Sequence, residues 1–261
     1  MRRDSNVEAI PDMPFAERSR LKVIFTIELE LALHQQTTQN AALLEDYTDL
    51  LLKLSSAYEI PVTWAVSDPA FSAAREAIVQ SSLAHEIALL GDATWTGLTA
   101  GRARFARELT RRVSAAGEQG IAVRSLVLRD AEPDDNLDLL REHGIRGLRL
   151  APQSTRDAAV ICRFGRTLGI EVLPVTWSVG APRSWWSGWR PRALGDAALR
   201  EARHGVCVIS LRGDHLIEED RALRDLTALW EISAYRRDRG AIELCTLANA
   251  VTENEAASVA A

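Results

Sequence analysis

Short apolar runs alternate with longer amphipathic stretches along most of this chain. The runs are rich in β-branched residues, which is typical of buried strands, and the stretches between them carry apolar residues at helical spacing. Strands are predicted at 21–30, 61–66, 86–90, 121–128, 147–150, 171–177, 206–211 and 241–245, and helices at 40–57, 69–80, 101–116, 133–143, 156–168, 193–203 and 218–237.

Regular alternation of strand and helix predicts a single α/β domain with parallel strands. The number of strands and the length of 261 residues favour a closed or nearly closed β/α barrel over an open doubly wound sheet. We predict that this domain spans 21–251, preceded by a flexible lead-in at 1–20 and followed by a disordered tail at 252–261.

Composition narrows the classes of function. A formal net charge of -5 argues against a dedicated nucleic-acid binder. No apolar run approaches the roughly 18 to 20 residues of a membrane span, and no secretory signal is recognisable, so a cytoplasmic location is expected. Cys162, Cys207 and Cys245 lie in apolar surroundings without a CxxC pair, which predicts buried thiols. No glycine-rich phosphate loop follows a strand.

The first predicted strand ends on two carboxylates, Glu28 and Glu30. Because side chains alternate along a strand, both should lie on the same side of the sheet, with Leu29 on the other. The carboxyl end of a buried strand is where β/α barrels place chemistry. The alternative is that the strand has already ended and both acids are solvated loop residues.

Polar and aromatic residues at the other strand ends complete the predicted active face. The candidates for catalysis are Glu28, Glu30, Arg129, Arg212 and His215, and those for substrate binding are Asp92, Trp95, Asp130, Trp185, Trp186 and Trp189. Tryptophan faces can bury the C–H surface of sugar rings while arginine and carboxylate groups bond to hydroxyls. The alternative is that tryptophans plug the barrel or an interface. We favour this for Trp177, and a binding role for Trp186 and Trp189.

The order of these features resembles the polysaccharide deacetylase family, also called the NodB-homology domain. The similarity covers nearly the whole chain and rests on several individually loose motifs. They lie at 23–30, 60–66, 84–88, 105–113, 136–145, 173–185, 209–212 and 242–247, with Arg129 where the family's Arg-Pro-Pro motif begins. The resemblance implies a distorted β/α barrel with parallel strands and a metal-dependent hydrolysis of acetyl groups on sugars.

This chain differs from the family pattern at the positions that bind the metal and supply the general acid. The metal-binding aspartate of the first strand corresponds to Leu29, and the two metal-binding histidines correspond to Leu90 and Thr94. Leucine has no lone pair to donate to a metal. The terminal Leu-His-Asp motif reads Leu211-Arg212-Gly213, so the usual general acid is also missing. His85 belongs to a family-like motif but precedes its strand, and we expect it to pack rather than to bind a ligand.

Two main hypotheses follow from this pattern. The first is a protein without a metal cofactor that no longer catalyses deacetylation and that binds a carbohydrate or a protein partner, with a homo-oligomer among the options. The second is a divergent hydrolase of an acylamino group with Glu28 or Glu30 as base, Arg129 and Arg212 at an oxyanion, and His215 as proton donor. We expect a bound divalent metal only if the chain has an alternative site. The side chains available for such a site are Glu28, Glu30, Asp92 and His215. A regulatory subunit that docks through the tryptophan loop is a third alternative.

Overall fold

A computed structural model describes residues 20–31, 35–70, 72–130, 136–152, 158–180, 205–218 and 220–252. Its elements follow the predicted alternation. The strands are β1 (Leu21–Glu28), β2 (Val62–Val66), β3 (Glu86–Gly91), β4 (Ser125–Leu128), β5 (Gly147–Arg149), β6 (Glu171–Leu173), β7 (Trp177–Val179), β8 (Val206–Arg212) and β9 (Ile242–Cys245). The helices are α1 (Thr38–Tyr58), α2 (Arg75–Gln80), α3 (Gly101–Glu118), α4 (Leu137–Glu142), α5 (Ala158–Thr167), α6 (Gly213–Glu218) and α7 (Asp220–Asp238).

The described strands form one parallel sheet in the order β6-β5-β4-β3-β2-β1-β8-β7. The ninth strand also pairs with β1: β9 lies beside its first half, Leu21–Ile24, while β2 lies beside Phe25–Glu28. This confirms the predicted α/β class with a distorted barrel of parallel strands. In the described part of the chain the barrel is open between β6 and β7.

Side chains of β1 alternate between two apolar layers. Val23, Phe25 and Ile27 pack outward against the helices, in a cluster that includes Trp230 of α7. Ile24 points the other way and packs among strand residues of the barrel interior. By the two-residue period of a strand, Thr26 and Glu28 also face the interior. The first strand therefore places the Glu28 side chain in the lumen, at the carboxyl end of the barrel.

The predicted strand at 171–177 is two strands that pair with opposite ends of the sheet. β6 pairs with β5 and β7 pairs with β8. Pro174 lies between them and has no backbone N–H to donate to a ladder. The chain leaves one end of the described sheet after Leu173 and rejoins the other at Trp177, so the prediction of one continuous strand was wrong.

Other boundaries shift by less. β1 stops at Glu28 rather than Glu30, and β4 begins at Ser125 rather than at residue 121. The predicted last helix at 218–237 corresponds to α7, and the short helix α6 before it was not predicted. The predicted helix at 193–203 lies outside the described residues. Cys207 and Cys245 are buried as expected, whereas Cys162 is partly exposed. Within the described chain, no helix combines the length and apolarity that crossing a bilayer requires.

Candidate functional site

Glu28 lies at the carboxyl end of β1, inside the mouth of the barrel, with no exposed surface. One of its carboxylate oxygens, Oε2, accepts a hydrogen bond from Nε of Arg129 at 2.8 Å. The other oxygen, Oε1, accepts from Nη2 of Arg149. Both oxygens are therefore engaged by guanidinium groups, and the carboxylate is closed off from water.

Arg149 is the partner that the sequence analysis missed. It ends β5, four strands away from β1 in the sheet, and it is completely buried. Its neighbours Leu148 and Leu150 pack outward, so the arginine side chain points into the lumen. Besides Glu28, it donates from Nη1 to the carbonyl oxygens of Leu128 at 2.9 Å and Leu150 at 3.2 Å. A single charged residue inside a buried strand was the signal that could have found it.

Arg129 reaches Glu28 from the segment after β4. Its backbone N–H donates to the carbonyl of Gly91 at 2.9 Å, which fixes this segment to the end of β3. Its Nη2 donates to the carbonyl oxygen of Glu30 at 2.6 Å. The Glu30 side chain has a different partner, because its Oε1 accepts from the backbone N–H of Ser67 at 2.9 Å. The two glutamates therefore have separate roles and do not share one reacting atom.

A second ionic group covers the mouth from the side of β8. Arg212 donates to Asp214, with Nη2 to Oδ2 at 2.7 Å, and to Asp130 Oδ1 at 3.0 Å across the barrel opening. Burial alone lowers the pKa of Arg212, but the hydrogen bond and charge of Asp214 outweigh it and raise that pKa. Burial likewise raises the pKa of Asp214, and its hydrogen bond with Arg212 outweighs this effect and lowers it. Both groups stay charged near neutrality.

His215 follows Asp214 at the start of α6 and is held in one orientation. Its Nδ1 lies 3.1 Å from the carbonyl oxygen of Val179, and because a carbonyl only accepts, Nδ1 carries a proton there. In the neutral ring, Nε2 then keeps its lone pair. The packing is close, since a Cβ on Gly180, which has a φ of 78°, would lie 2.8 Å from Nδ1.

Asp92 and Trp95 belong to a turn that closes the end of β3. Asp92 Oδ1 accepts from the backbone N–H of Thr94 at 2.8 Å and from its hydroxyl at 2.5 Å. Trp95 is 1% exposed, stacks on Phe105 with ring centroids 5.6 Å apart, and lies under the Arg112 guanidinium. This corrects the expectation for Trp95, because its faces are covered by protein and offer no surface for a sugar.

The tryptophans of the predicted platform differ in what the structure describes. Trp177 begins β7, is half-buried and packs against the outer core, so it does not plug the barrel interior. Trp185, Trp186 and Trp189 lie outside the described residues, so their binding role stays a prediction.

The residues do not fit the metal site that the fold resemblance implies. At the expected ligand positions, Leu29 and Leu90 are buried apolar side chains, and the Thr94 hydroxyl is bonded to Asp92. In the described ranges, no three His, Cys, Asp or Glu side chains approach closely enough to hold a metal ion. The alternative set of Glu28, Glu30, Asp92 and His215 is therefore not brought together.

His85 has the packing role expected of it, at the opposite end of the barrel. Its Nδ1 accepts a hydrogen bond from the backbone N–H of Val62 at 3.1 Å, and its ring meets Trp64 edge to face. Burial lowers the pKa of His85 to about 4. A cavity of about 430 Å³ next to His85 and Glu86 opens at this N-terminal end, away from the candidate site.

Comparison with known proteins supports the fold and leaves the family unassigned. No family model and no curated protein sequence matches the chain. The catalytic domain of a peptidoglycan N-acetylglucosamine deacetylase from Eubacterium rectale is similar in structure, with a TM-score of 0.50, 10% identity, and coverage of 89% of this chain and 90% of that chain.

Two further solved structures are more distant. Another peptidoglycan N-acetylglucosamine deacetylase has a TM-score of 0.37 and 12% identity, with 88% of this chain and 87% of that one covered. A family 4 carbohydrate esterase from Bacillus anthracis has a TM-score of 0.33 and 12% identity, with 89% and 83% covered. A putative fructose-1,6-biphosphate aldolase from Coccidioides immitis and a tryptophan synthase from Mycobacterium tuberculosis match with TM-scores of 0.40 and 0.36. The argument therefore rests on the first similarity, whose TM-score is 0.50, and it concerns the fold.

Proposed function

We propose that this chain is a polysaccharide deacetylase-like protein that works without a metal and binds a carbohydrate or a protein partner at the mouth of its barrel. The observation that carries the proposal is the state of Glu28. Its side chain is fully buried, and Arg129 and Arg149 occupy both of its oxygens. A buried carboxylate that is bonded to a guanidinium group at each oxygen is closed to a reacting group from solvent.

Electrostatics supports the same proposal. A divalent cation placed beside Glu28 would lie within a few ångströms of two guanidinium groups, and like charges at such distances repel strongly when buried. The cluster also balances its own charge. Three arginines (Arg129, Arg149 and Arg212) face three carboxylates (Glu28, Asp130 and Asp214), so no bound ion is needed to neutralise it.

The rim of the mouth supports a binding role. Asp130 is exposed, and Arg212 and His215 are partly exposed beside it, so charged donors and acceptors face solvent where a polar ligand could reach them. Groups of this kind bond to sugar hydroxyls. The predicted tryptophan platform of Trp185, Trp186 and Trp189 would add apolar contact from the same end of the barrel. We retain the predictions of a cytoplasmic location and of one domain at 21–251 as part of this proposal.

A divergent hydrolase that needs no metal is the second candidate, and the geometry of His215 favours it. With Nδ1 directed at the Val179 carbonyl, the neutral ring presents Nε2 as an acceptor, as a general base requires. Arg212 lies beside it and could stabilise an oxyanion. In this candidate the proton transfer falls to His215 rather than to Glu28.

Deacetylation of acetylated chito-oligosaccharides, measured with and without added zinc or cobalt, tests the proposal. We expect no turnover with either metal, and saturable binding of the same oligosaccharides. Trp186→Ala should weaken that binding, whereas Trp95→Phe, which alters a buried ring, should leave it unchanged.

Turnover that depends on metal and is abolished by Glu28→Gln would refute the proposal. Turnover without metal that His215→Asn abolishes would establish the second candidate instead. Absence of both glycan binding and turnover would leave the protein-partner alternative.

A further inference from the structure

Arg149 crosses the interior of the barrel at the level where the lumen of such folds is usually filled by apolar layers. Leu90 and Val127, which lie in register with Arg149 on β3 and β4, belong to the apolar cluster of the interior. Among these side chains Arg149 places a cation with 0% exposure, paired with Glu28. The exchange of an apolar layer for a buried ion pair calls for an explanation, since such pairs seldom stabilise a fold more than apolar residues of equal volume.

The hydrogen bonds of Arg149 show what holds it in place. Three oxygens from three places on the sheet accept from its two terminal nitrogens: the Glu28 carboxylate, the Leu128 carbonyl and the Leu150 carbonyl. Carboxylate and carbonyl oxygens gathered around one position are the ligand types that bind a cation. Here they surround a planar cation that is covalently part of the chain.

We infer that the Arg149 guanidinium is a built-in counter-cation, which fills at the mouth of the barrel the place that a bound cation would otherwise take opposite Glu28. The planar fork matters because two nitrogens must reach three oxygens on different strands at once. The inference rests on and extends the proposed function, since it states what neutralises Glu28 in a protein without a metal, and it makes a prediction about folding rather than about glycans.

Chemical rescue of Arg149→Ala tests this inference. Truncation leaves the three oxygens without their donors, and we expect the Tm to fall by roughly 10 °C. Methylguanidinium chloride at low millimolar concentration, below the denaturing range, should restore part of that loss in a saturable way. Sodium chloride at the same ionic strength should not. Arg124→Ala is the matched control, because Arg124 is exposed on the segment before β4, and its Tm should neither fall nor respond to methylguanidinium.

Zinc and cobalt chloride serve as the opposing probes. If either metal restores the Tm of Arg149→Ala as well as methylguanidinium does, the place is a metal site and the requirement for a planar cation is overturned. If neither kind of cation restores it, Arg149 acts through packing and the inference falls.

A second set of variants covers the case in which Arg149→Ala does not fold. Arg149→Lys keeps the charge without the fork, and Arg149→Met keeps apolar volume without the charge. We expect both variants to be less stable than the wild-type chain. The lysine variant should be more stable than the methionine variant. A methionine variant as stable as the wild type would contradict the inference. Failure here would leave the proposed function intact if the purified chain carries no metal and still binds oligosaccharide.

Discussion

The two ends of the barrel each bury a glutamate that faces the lumen, and they neutralise it in different ways. Glu28, at the carboxyl end, is paired with two guanidinium groups. Glu86, at the start of β3, has only neutral donors: its Oε2 accepts from the Thr63 hydroxyl and from the Ala248 backbone N–H, both at 2.9 Å. Its Oε1 has no hydrogen-bond partner within the described chain. The positive charges of two arginines neutralise Glu28, whereas uptake of a proton can neutralise Glu86.

This difference distinguishes Glu28, which belongs to the candidate site, from Glu86, which has a structural role at the opposite end of the barrel. Burial raises the pKa of Glu86, and the hydrogen bonds from Thr63 and Ala248 only partly offset that effect. Burial therefore favours the protonated, neutral form of Glu86, whereas Glu28 is neutralised by its ion pairs. Within the described residues, the buried arginines that pair with Glu28 lie at the carboxyl end of the barrel.

Glu28→Gln should cause the largest loss of stability among these variants. The substitution removes the anion between two buried guanidinium groups and should lower the free energy of unfolding by about 3–5 kcal/mol. Glu30→Gln is the matched control, because its amide oxygen can still accept from Ser67, and a change below about 1 kcal/mol is expected. Urea unfolding of both variants measures this. Equal losses would show that the arginines do not depend on Glu28.

Asp214→Asn should produce a loss of intermediate size at the same end. The variant loses the ionic hydrogen bonds to Arg212, and we expect about 1.5–3 kcal/mol less stability at neutral pH. Because folding lowers the pKa of Asp214, its contribution is complete above the unfolded value near 3.8 and is lost as the pH falls through the folded pKa. Unfolding measured from pH 7 to pH 2.5 should show the difference from wild type shrinking. A difference that does not change with pH would contradict this account.

Glu86→Gln should show the opposite dependence on pH at the other end. Folding raises the pKa of Glu86, so its contribution is complete below the unfolded value near 4.5 and is lost as the pH rises toward the folded pKa. Relative to wild type, the glutamine variant should gain about 1 kcal/mol or more between pH 5 and pH 7. A flat difference over this range would mean that the buried Glu86 carboxylate is already ionised, and the contrast between the two ends would disappear.

Asp138→Asn is the smallest change and sets the scale for the others. Asp138 pairs with Arg102 on the outside of the barrel at 2.5 Å, and both side chains are largely exposed. A pair of the same chemistry in water should contribute less than about 1 kcal/mol, and the effect should fade in 1 M salt. A loss as large as that of Glu28→Gln would show that burial is not what distinguishes the mouth of the barrel.

Periodicity was enough to predict the layers of this fold, and it failed where pairing partners decide the outcome. The apolar runs identify β1, β2, β3 and β8 because each is buried on both faces. The run at 171–177 looks continuous, but only the sheet order shows that its two halves belong to opposite ends. No local pattern contains that information.

The candidate site was predictable in part for the same reason. Glu28, Arg129, Arg212 and Asp130 could be placed at one end of the barrel because each ends a strand or comes within two residues of its end. Trp95 could not be distinguished from an exposed aromatic, since its burial depends on Phe105 and Arg112 from a later helix. Arg149 was missed because its partner Glu28 lies 121 residues earlier in the chain, and sequence distance conceals such a pair.

The metal content of the purified chain tests the central claim most directly. The protein is incubated with an excess of zinc or cobalt, freed of unbound ion by gel filtration, and analysed by atomic spectroscopy beside Glu28→Gln. The account predicts that both proteins retain only traces of metal, because Arg129 and Arg149 already neutralise Glu28. One metal ion per chain in the wild-type protein, lost in Glu28→Gln, would contradict it.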